Sequence, residues 1–328
     1  DLFYQFAILP IFILIEGLIF LNYAIIDIGS NTMRLSVYAC RGGHVNVLFT
    51  KKETAGLAGY VTNGMLSTDG VEQCIAVLKL FQESLLGIRI DGLSVFATAS
   101  LRNVSNTQEV LRTVSRRTGI AVEILSGQDE AVLDFIGATH SVGLENGLLI
   151  DIGGGSTELT SFSNKVITYA ESMPIGSLSL YTNLVEELLP SSAEQKAIRR
   201  TVLKKLETVK SLAGKQFSDI CGVGGTIRAV QKMNRKAGGS PEGFSVKTLR
   251  SMLAKVQKPD KDTLRLILKS APDRIHTLIP GMLILDTVAE YFKSEKIHVS
   301  AFGVREGYLY ARVLGEPIHI LSSVKGKE

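Results

Sequence analysis

Three glycine-rich stretches hold most of the residues in this chain that could do chemistry: DIGSNT at 27–32, DIGGGSTEL at 151–159 and CGVGGTIRAV at 221–230. Each follows a short apolar run, so each reads as a tight turn at the end of a buried strand. Glycine lets the backbone turn sharply and come close to a ligand, and successive N–H groups in such a turn form an anion-binding concavity. Gly153, Gly154, Gly155 and Ser156 are therefore expected to hold a phosphate, and Gly29, Ser30, Asn31 and Thr32 to do the same from a second element. After the third stretch TIRAVQKM has helical character, which puts Gly224, Gly225 and Thr226 at a helix N-terminus. Free N–H groups and the positive dipole end favour an anion there. One such turn alone is more simply an ordinary connection; three together suggest phosphate held in a cleft.

Carboxylates lie beside these turns. Asp151 and Glu158 stand at the two ends of the second one, and hard oxygen ligands next to a phosphate site suit Mg²⁺, which keeps several waters and bridges to substrate oxygens. Asp27 is the counterpart of Asp151 in the first stretch and a further metal candidate. In ILSGQDEAVLDF at 124–135, Ser126 reads as an N-cap and Asp129 completes a capping-box-like pair. Asp129 thus has a structural explanation, whereas Glu130 has none. On the first turn of a helix at a junction, Glu130 is placed to accept a proton from an attacking water. Arg102, in ATASLRNVSN at 97–106, is a candidate to clamp phosphate through two donors at once, with a surface ion pair as the plain alternative. Arg34, alternating with apolar neighbours in TMRL, is the weaker basic candidate.

The elements that must position these groups are repeated. YAII leads into DIGSNTMRLSVY and GLLI into DIGGGSTELTSF, each an apolar strand, an aspartate, a turn and an alternating strand. Such self-similarity suggests two related domains, each opening with a β-hairpin. Elsewhere the alternation is α/β: helical patterns occupy 69–86, 107–118, 129–140, 193–213, 245–257, 262–270 and 281–293, and strand patterns 45–50, 93–98, 121–125 and 297–300. KAGGSPEG at 236–243 reads as a flexible surface loop, and the basic run at 196–210 as a solvated helix face or, alternatively, a path for a polyanion.

Bulk properties set limits. A chain of 328 residues exceeds the usual single-domain size, and 45% hydrophobic with 21% charged residues is ordinary for a folded soluble protein. The net charge of +4 comes with no basic block dense enough to announce a nucleic-acid or membrane surface. The three cysteines form no CxxC pair and the five histidines never fall at metal-ligand spacing, which points away from disulfides and zinc and towards a reducing cytoplasm. Residues 1–21 differ from the rest. They are nearly continuous apolar sequence, lack the basic flank and cleavage site of a signal peptide, and run without a linker into NYAIID. The preferred reading is an apolar extension outside the native fold, with a natural start near Leu21 or Asn22; a membrane anchor is the alternative.

Taken with ATASLRNVSN, MPIGSLSL, RIHTLIPGMLIL and VSAFGVREGYLYARVL, these motifs resemble the exopolyphosphatase and guanosine pentaphosphate phosphohydrolase (Ppx/GppA) family, in its short two-domain form. The match runs from residue 23 to about 313. The resemblance implies an α/β fold of two ribonuclease H-like domains of the actin-like ATPase, sugar kinase and Hsp70 group, with an interdomain cleft. The domains would be 22–131 and 132–328, with the last helix able to pack back on the first. The family's catalytic carboxylate falls on Glu130 and its Mg²⁺ (or Mn²⁺) carboxylates on Asp151 and Glu158. Its phosphate loops fall on Gly29 to Thr32, Gly153 to Thr157 and Gly224 to Thr226, with Arg102 as basic partner. Asp129 replaces a common glutamate, and Ala99 and Ser100 depart from commoner residues near Arg102.

The implied activity is hydrolysis of the terminal phosphoanhydride of inorganic polyphosphate, or alternatively of guanosine pentaphosphate, with a homodimer as family behaviour and no nucleic-acid or membrane partner. An actin-like kinase would need a nucleoside pocket and an acceptor site. A polyphosphate or nucleotide sensor would bind and release nothing.

Overall fold

The computed structural model describes residues 20–257 and 260–317, so the expected extension at 1–19 lies outside the described residues. Strand β1 begins at Phe20, which takes two positions assigned above to that extension into the fold.

The first lobe runs β1 (Phe20–Ile28), β2 (Thr32–Arg41), β3 (His44–Thr54), the small hairpin β4 (Val61–Thr62) and β5 (Met65–Leu66), α1 (Thr68–Leu85), β6 (Gly92–Ala97), α2 (Ala99–Arg102), α3 (Thr107–Thr118), β7 (Glu123–Ile124) and α4 (Gly127–Thr139). The second runs β8 (Gly147–Ile152), β9 (Thr157–Ser163), β10 (Val166–Met173), α5 (Ser177–Leu184), α6 (Ser192–Thr208), β11 (Asp219–Val223), α7 (Gly225–Lys236), β12 (Gly243–Ser245), α8 (Val246–Gln257), α9 (Lys261–Ser270), α10 (Ile275–Tyr291), β13 (Lys296–Val299) and α11 (Val304–Tyr308). The last helix continues as a π-helical segment through Val313.

The two sheets share one plan. The first has the order β3-β2-β1-β6-β7 and the second β10-β9-β8-β11-β13-β12. In each, three antiparallel strands are followed by two parallel ones that need helical crossovers, and in the second sheet β12 adds an antiparallel edge on β13. The duplication read from the two Asp-Ile-Gly hairpins is therefore a duplication of whole lobes.

Both faces of each sheet are covered, and strand periodicity decides which residues meet which layer. Ala24, Ile26 and Ile28 belong to the first lobe's own core, and Ile25 faces the core between the lobes. Likewise Leu148, Ile150 and Ile152 face the second lobe's core and Leu149 the shared one. Asp27 and Asp151 fall on the odd-numbered side and so point to the space between the lobes.

Two helices fill that space. α4 follows the first sheet but packs on β9 and β10 of the second, and α11 follows the second sheet but packs on the first. Tyr308 stacks on Phe96 at 5.1 Å, and the Tyr38 hydroxyl donates to Glu306 Oε1 at 2.6 Å. α4 is buried from Glu130 through Ala138, which explains its lack of a polar face. The 131/132 division falls inside this unbroken helix.

Most helix and strand expectations match in type. α10 starts earlier than expected, at Ile275, and carries Pro280 in its second turn, where the ring leaves the His276 carbonyl without its helical N–H donor. α6 stops at Thr208, short of 213, and α5 was not anticipated. The loop at 236–243 is pinned: buried Gln231 and Asn234 donate to the carbonyls of Ser240, Pro241 and Gly243. Among the described residues no helix is long and apolar enough to cross a membrane.

Candidate active site

Each glycine turn is set by its own strand ends. Gly29 N donates to Thr32 O at 3.1 Å, and Gly153 N to Ser156 O at 3.0 Å, closing equivalent hairpin turns in the two lobes. The second turn is clamped from outside by the start of α5, where Ser177 N donates to Gly153 O and Leu178 N to Gly154 O, both at 2.9 Å.

The two turns meet. A side chain on Gly155 would place its Cβ 2.7 Å from Ser30 Oγ and 3.2 Å from Ala99 Cβ, so only glycine allows this approach. Gly224, with φ 93°, enters α7 in a backbone region that side-chain-bearing residues rarely adopt, and a Cβ there would collide with the Asp151 carboxylate.

The cleft they enclose is lined by Gly29 to Thr32, Gly153 to Ser156, Gly224 and Gly225, together with Glu130, Asp27 and Asp151. Thr157, Thr226, Glu158 and Arg102 do not line it. Thr157 donates its hydroxyl to Ile175 O at 2.7 Å, Thr226 is fully buried against Gly281, and Glu158 is 1% exposed behind Asp151. Arg102 departs most from its expected role as a phosphate clamp. Its Nη1 donates to Glu130 Oε2 at 2.8 Å and to Leu125 O at 3.0 Å, and its Nη2 lies 3.9 Å from Glu158 Oε1. It holds the carboxylates. Which partner a long cation reaches is not written in local sequence, and two adjacent buried acids make this pairing favourable.

Glu130 itself stands where the sequence placed it, on the first turn of α4. Ser126 Oγ accepts from Asp129 N at 3.0 Å, fixing the turn, and the same hydroxyl donates to Asp129 Oδ2 at 2.8 Å. Burial first, then the Glu158 carboxylate, push Glu130 well above the usual carboxylate range, while Arg102 opposes both. That makes it a stronger base than an exposed glutamate.

Asp151 and Glu158 face each other across the β8–β9 ladder, while the equivalent ladder position in the first lobe pairs Asp27 with Arg34. One lobe therefore presents two acids and the other an acid with a base. Asp27 is engaged at Oδ2 by Arg305 Nη1 at 3.3 Å. Asp151 Oδ1 and Glu158 Oε2 are buried acceptors that no donor among the described residues meets. Unmet oxygens of this kind fit a hard divalent cation. Among the described residues no three of His, Cys, Asp and Glu gather closely enough to enclose an ion, so a cation on Asp151 would complete its shell with water and substrate oxygens, as Mg²⁺ does. Burial raises Asp151, with Arg228 opposing, and pushes Glu158 up to about 7 with help from Asp151.

Sequence reasoning missed several groups. Asp134, one turn after Glu130 on α4, is fully buried, and no N–H or hydroxyl among the described residues reaches either oxygen. Burial and then Asp151 push it well above the usual range. An acid inside the apolar run AVLDFIGA was the available signal. Arg228, Arg274 and Arg305 join Arg34 in lining the cleft. Arg228 follows the Gly224 turn by one helical turn, a legible position; Arg274 and Arg305 come from segments far apart in sequence. Burial, then Arg305 and Arg228, bring Arg34 down to about 10. Such crowding of cations, beside the unpartnered buried Asn31 Nδ2, is relieved by a bound polyanion. The basic residues of α6 contribute nothing to the cleft; Arg199 instead pairs with Asp286 at 2.5 Å.

Comparison with known proteins agrees with this architecture. The model of the Ppx/GppA phosphatase family matches residues 36–316. A Haemophilus influenzae protein, provisionally named an exopolyphosphatase, is 28% identical over 295 residues, covering 88% of this chain and 90% of its own. An exopolyphosphatase structure from Cytophaga hutchinsonii superposes with a TM-score of 0.81 at 22% identity, covering 90% of this chain and 99% of its own. The Aquifex aeolicus Ppx/GppA family member does so with a TM-score of 0.74 at 24% identity, covering 90% and 98%. With an actin-like ATPase fold in both lobes and a family match across most of its length, this chain belongs to the Ppx/GppA phosphatase family.

Proposed function

We propose that the chain hydrolyses the terminal phosphoanhydride of linear inorganic polyphosphate and releases orthophosphate. The family is one of phosphohydrolases, and the observation that carries the finer reading is the place of Glu130: a buried carboxylate in a cleft lined by both glycine turns, with one oxygen held by Arg102.

In this reading, backbone N–H groups of the two turns and the guanidinium groups of Arg34, Arg228, Arg274 and Arg305 bind the terminal phosphate oxygens. Bound Mg²⁺ or Mn²⁺ would supply further charge neutralisation at those oxygens, held from Asp151 with Glu158 behind it. Arg102 fixes Glu130 through Oε2, which assigns Oε1 to the water. Glu130 Oε1 takes the proton as the water oxygen bonds to the terminal phosphorus. The bridging P–O bond breaks in line, and its electron pair leaves on the shortened chain. Positioning and electrostatic stabilisation carry such a step, since phosphoryl transfer asks little covalent chemistry of the protein.

The two lobes of one chain complete this site, so the proposal does not depend on a homodimer. All three cysteines are free and buried.

Purified Glu130→Gln is the direct test, with phosphate release measured on polyphosphate and guanosine pentaphosphate side by side. Loss of about 10²–10⁴-fold in kcat with the fold intact is expected. Turnover near that of the parent chain would remove Glu130 from its assigned role.

A further inference from the structure

The catalytic cleft encloses about 120 Å³, well below the ~300–1,000 Å³ of sites that take a whole drug-sized ligand. It has room for the reacting end of a substrate only, and the remainder must leave by an opening. Arg228 lines the cleft and also lines a second groove of about 600 Å³. That groove follows α7 outward, between the helix and the segments around Pro241 and Val299.

Along it stand Arg228, Lys232, Arg235 and Lys236, which the helical repeat collects on one side of α7. At 1.5 Å rise per residue the row spans about 12 Å. None of the groove's lining residues is acidic, and among the described residues no carboxylate pairs with Lys232 or Arg235. Lys236 donates to Lys269 O at 2.8 Å and is held below the ordinary lysine range by desolvation, then by Lys232 and Lys269.

The uncharged polar groups of the groove are already occupied. Gln231 gives its amide to Ser240 O and Pro241 O and receives Asn234 Nδ2 on Oε1. Ser300 donates to Phe302 O and accepts from Phe302 N. No aromatic side chain lines the groove. A guanine base would find neither a stacking ring nor a free edge-reading amide, while a row of cations is what a bare polyanion needs.

Resting on the phosphohydrolase reading above, we propose that the α7 groove is a subsite for the trailing phosphates of a polyphosphate chain, entered from the cleft past Arg228. It makes inorganic polyphosphate, in preference to a guanosine nucleotide, the substrate this chain is built to hold.

The test neutralises Lys232 and Arg235 together as glutamine, both exposed and outside the catalytic cleft, and compares long-chain polyphosphate, tripolyphosphate and guanosine pentaphosphate. KM for the long chain should rise about tenfold or more, and the slope of log affinity against log salt should shrink by roughly 0.7 for each cation removed. Tripolyphosphate and the nucleotide should change less than twofold. Equal effects on all three, a selective effect on the nucleotide, or none at all would overturn the proposal. Direct binding of long-chain polyphosphate to Glu130→Gln, with and without the two substitutions, reads the groove independently of turnover. If the parent chain releases no phosphate from any substrate while groove-dependent binding persists, the hydrolysis reading fails and the groove stands. Groove-independent binding sinks the groove alone.

Discussion

The buried carboxylates at the base of the cleft should make the metal-free protein lose stability as pH rises, and Glu158 allows the size to be worked out. Its side chain is 1% exposed, and burial with the Asp151 charge raises it from 4.5 to about 7. A carboxyl whose folded value lies above its unfolded one binds more protons when folded. Its contribution is therefore complete below pH 4.5 and lost as pH climbs through about 7. At about 1.4 kcal/mol per pH unit between the two values, Glu158 contributes on the order of 3 kcal/mol. With about 2.1 cal/mol/K of unfolding entropy per residue over 328 residues, that corresponds to roughly 4–5 °C in Tm. Glu130, Asp134 and Asp151 are raised as well and add the same sign, while His276, lowered mainly by burial, contributes the opposite slope. Glu158→Gln isolates the one group. Thermal unfolding in chelator across pH 4.5 to 7 should show a fall for the parent chain and a fall smaller by roughly 4–5 °C for the variant. Adding Mg²⁺ should raise Tm more at the upper end, because ions compete with protons for these oxygens. Parallel pH profiles for the two proteins, or a parent Tm that climbs over this window, would refute the electrostatic account.

Arg102→Gln removes the partner that draws Glu130 downward, so the acidic limb of kcat/KM should move to higher pH while kcat falls; an unmoved limb would mean that Arg102 does not act on the base. Gly224→Ala should cost about 1–3 kcal/mol from the backbone at φ 93° alone, read by urea denaturation, and should weaken Mg²⁺-induced stabilisation because the new Cβ overlaps Asp151. A variant of parental stability and metal response would show that the turn relaxes freely.

Local chemistry and spacing were enough to find the duplicated hairpins, the three glycine turns, the capped helix start at Ser126 and Glu130 one residue beyond the cap pair. These features are contained within short stretches, where strand alternation and turn geometry dictate what neighbours do. The same alternation puts Asp27 and Asp151 on the face shared by the lobes. What no local pattern could supply is which distant groups arrive at that face. Arg274 and Arg305 reach the cleft from segments separated by helices, Asp27 acquires a guanidinium partner from α11, and Arg102 turns to two carboxylates in place of a phosphate. The exchange of α4 and α11 between the sheets decides the placing of Arg305 and Glu130, and Arg274 arrives separately, from the start of α10; buried charges so gathered in a low-dielectric space must each find a counter-charge. The sequence by itself determined where an anion can be cradled; the tertiary packing decided which charges meet there, since Coulomb pairing depends on distance through space and not on separation along the chain.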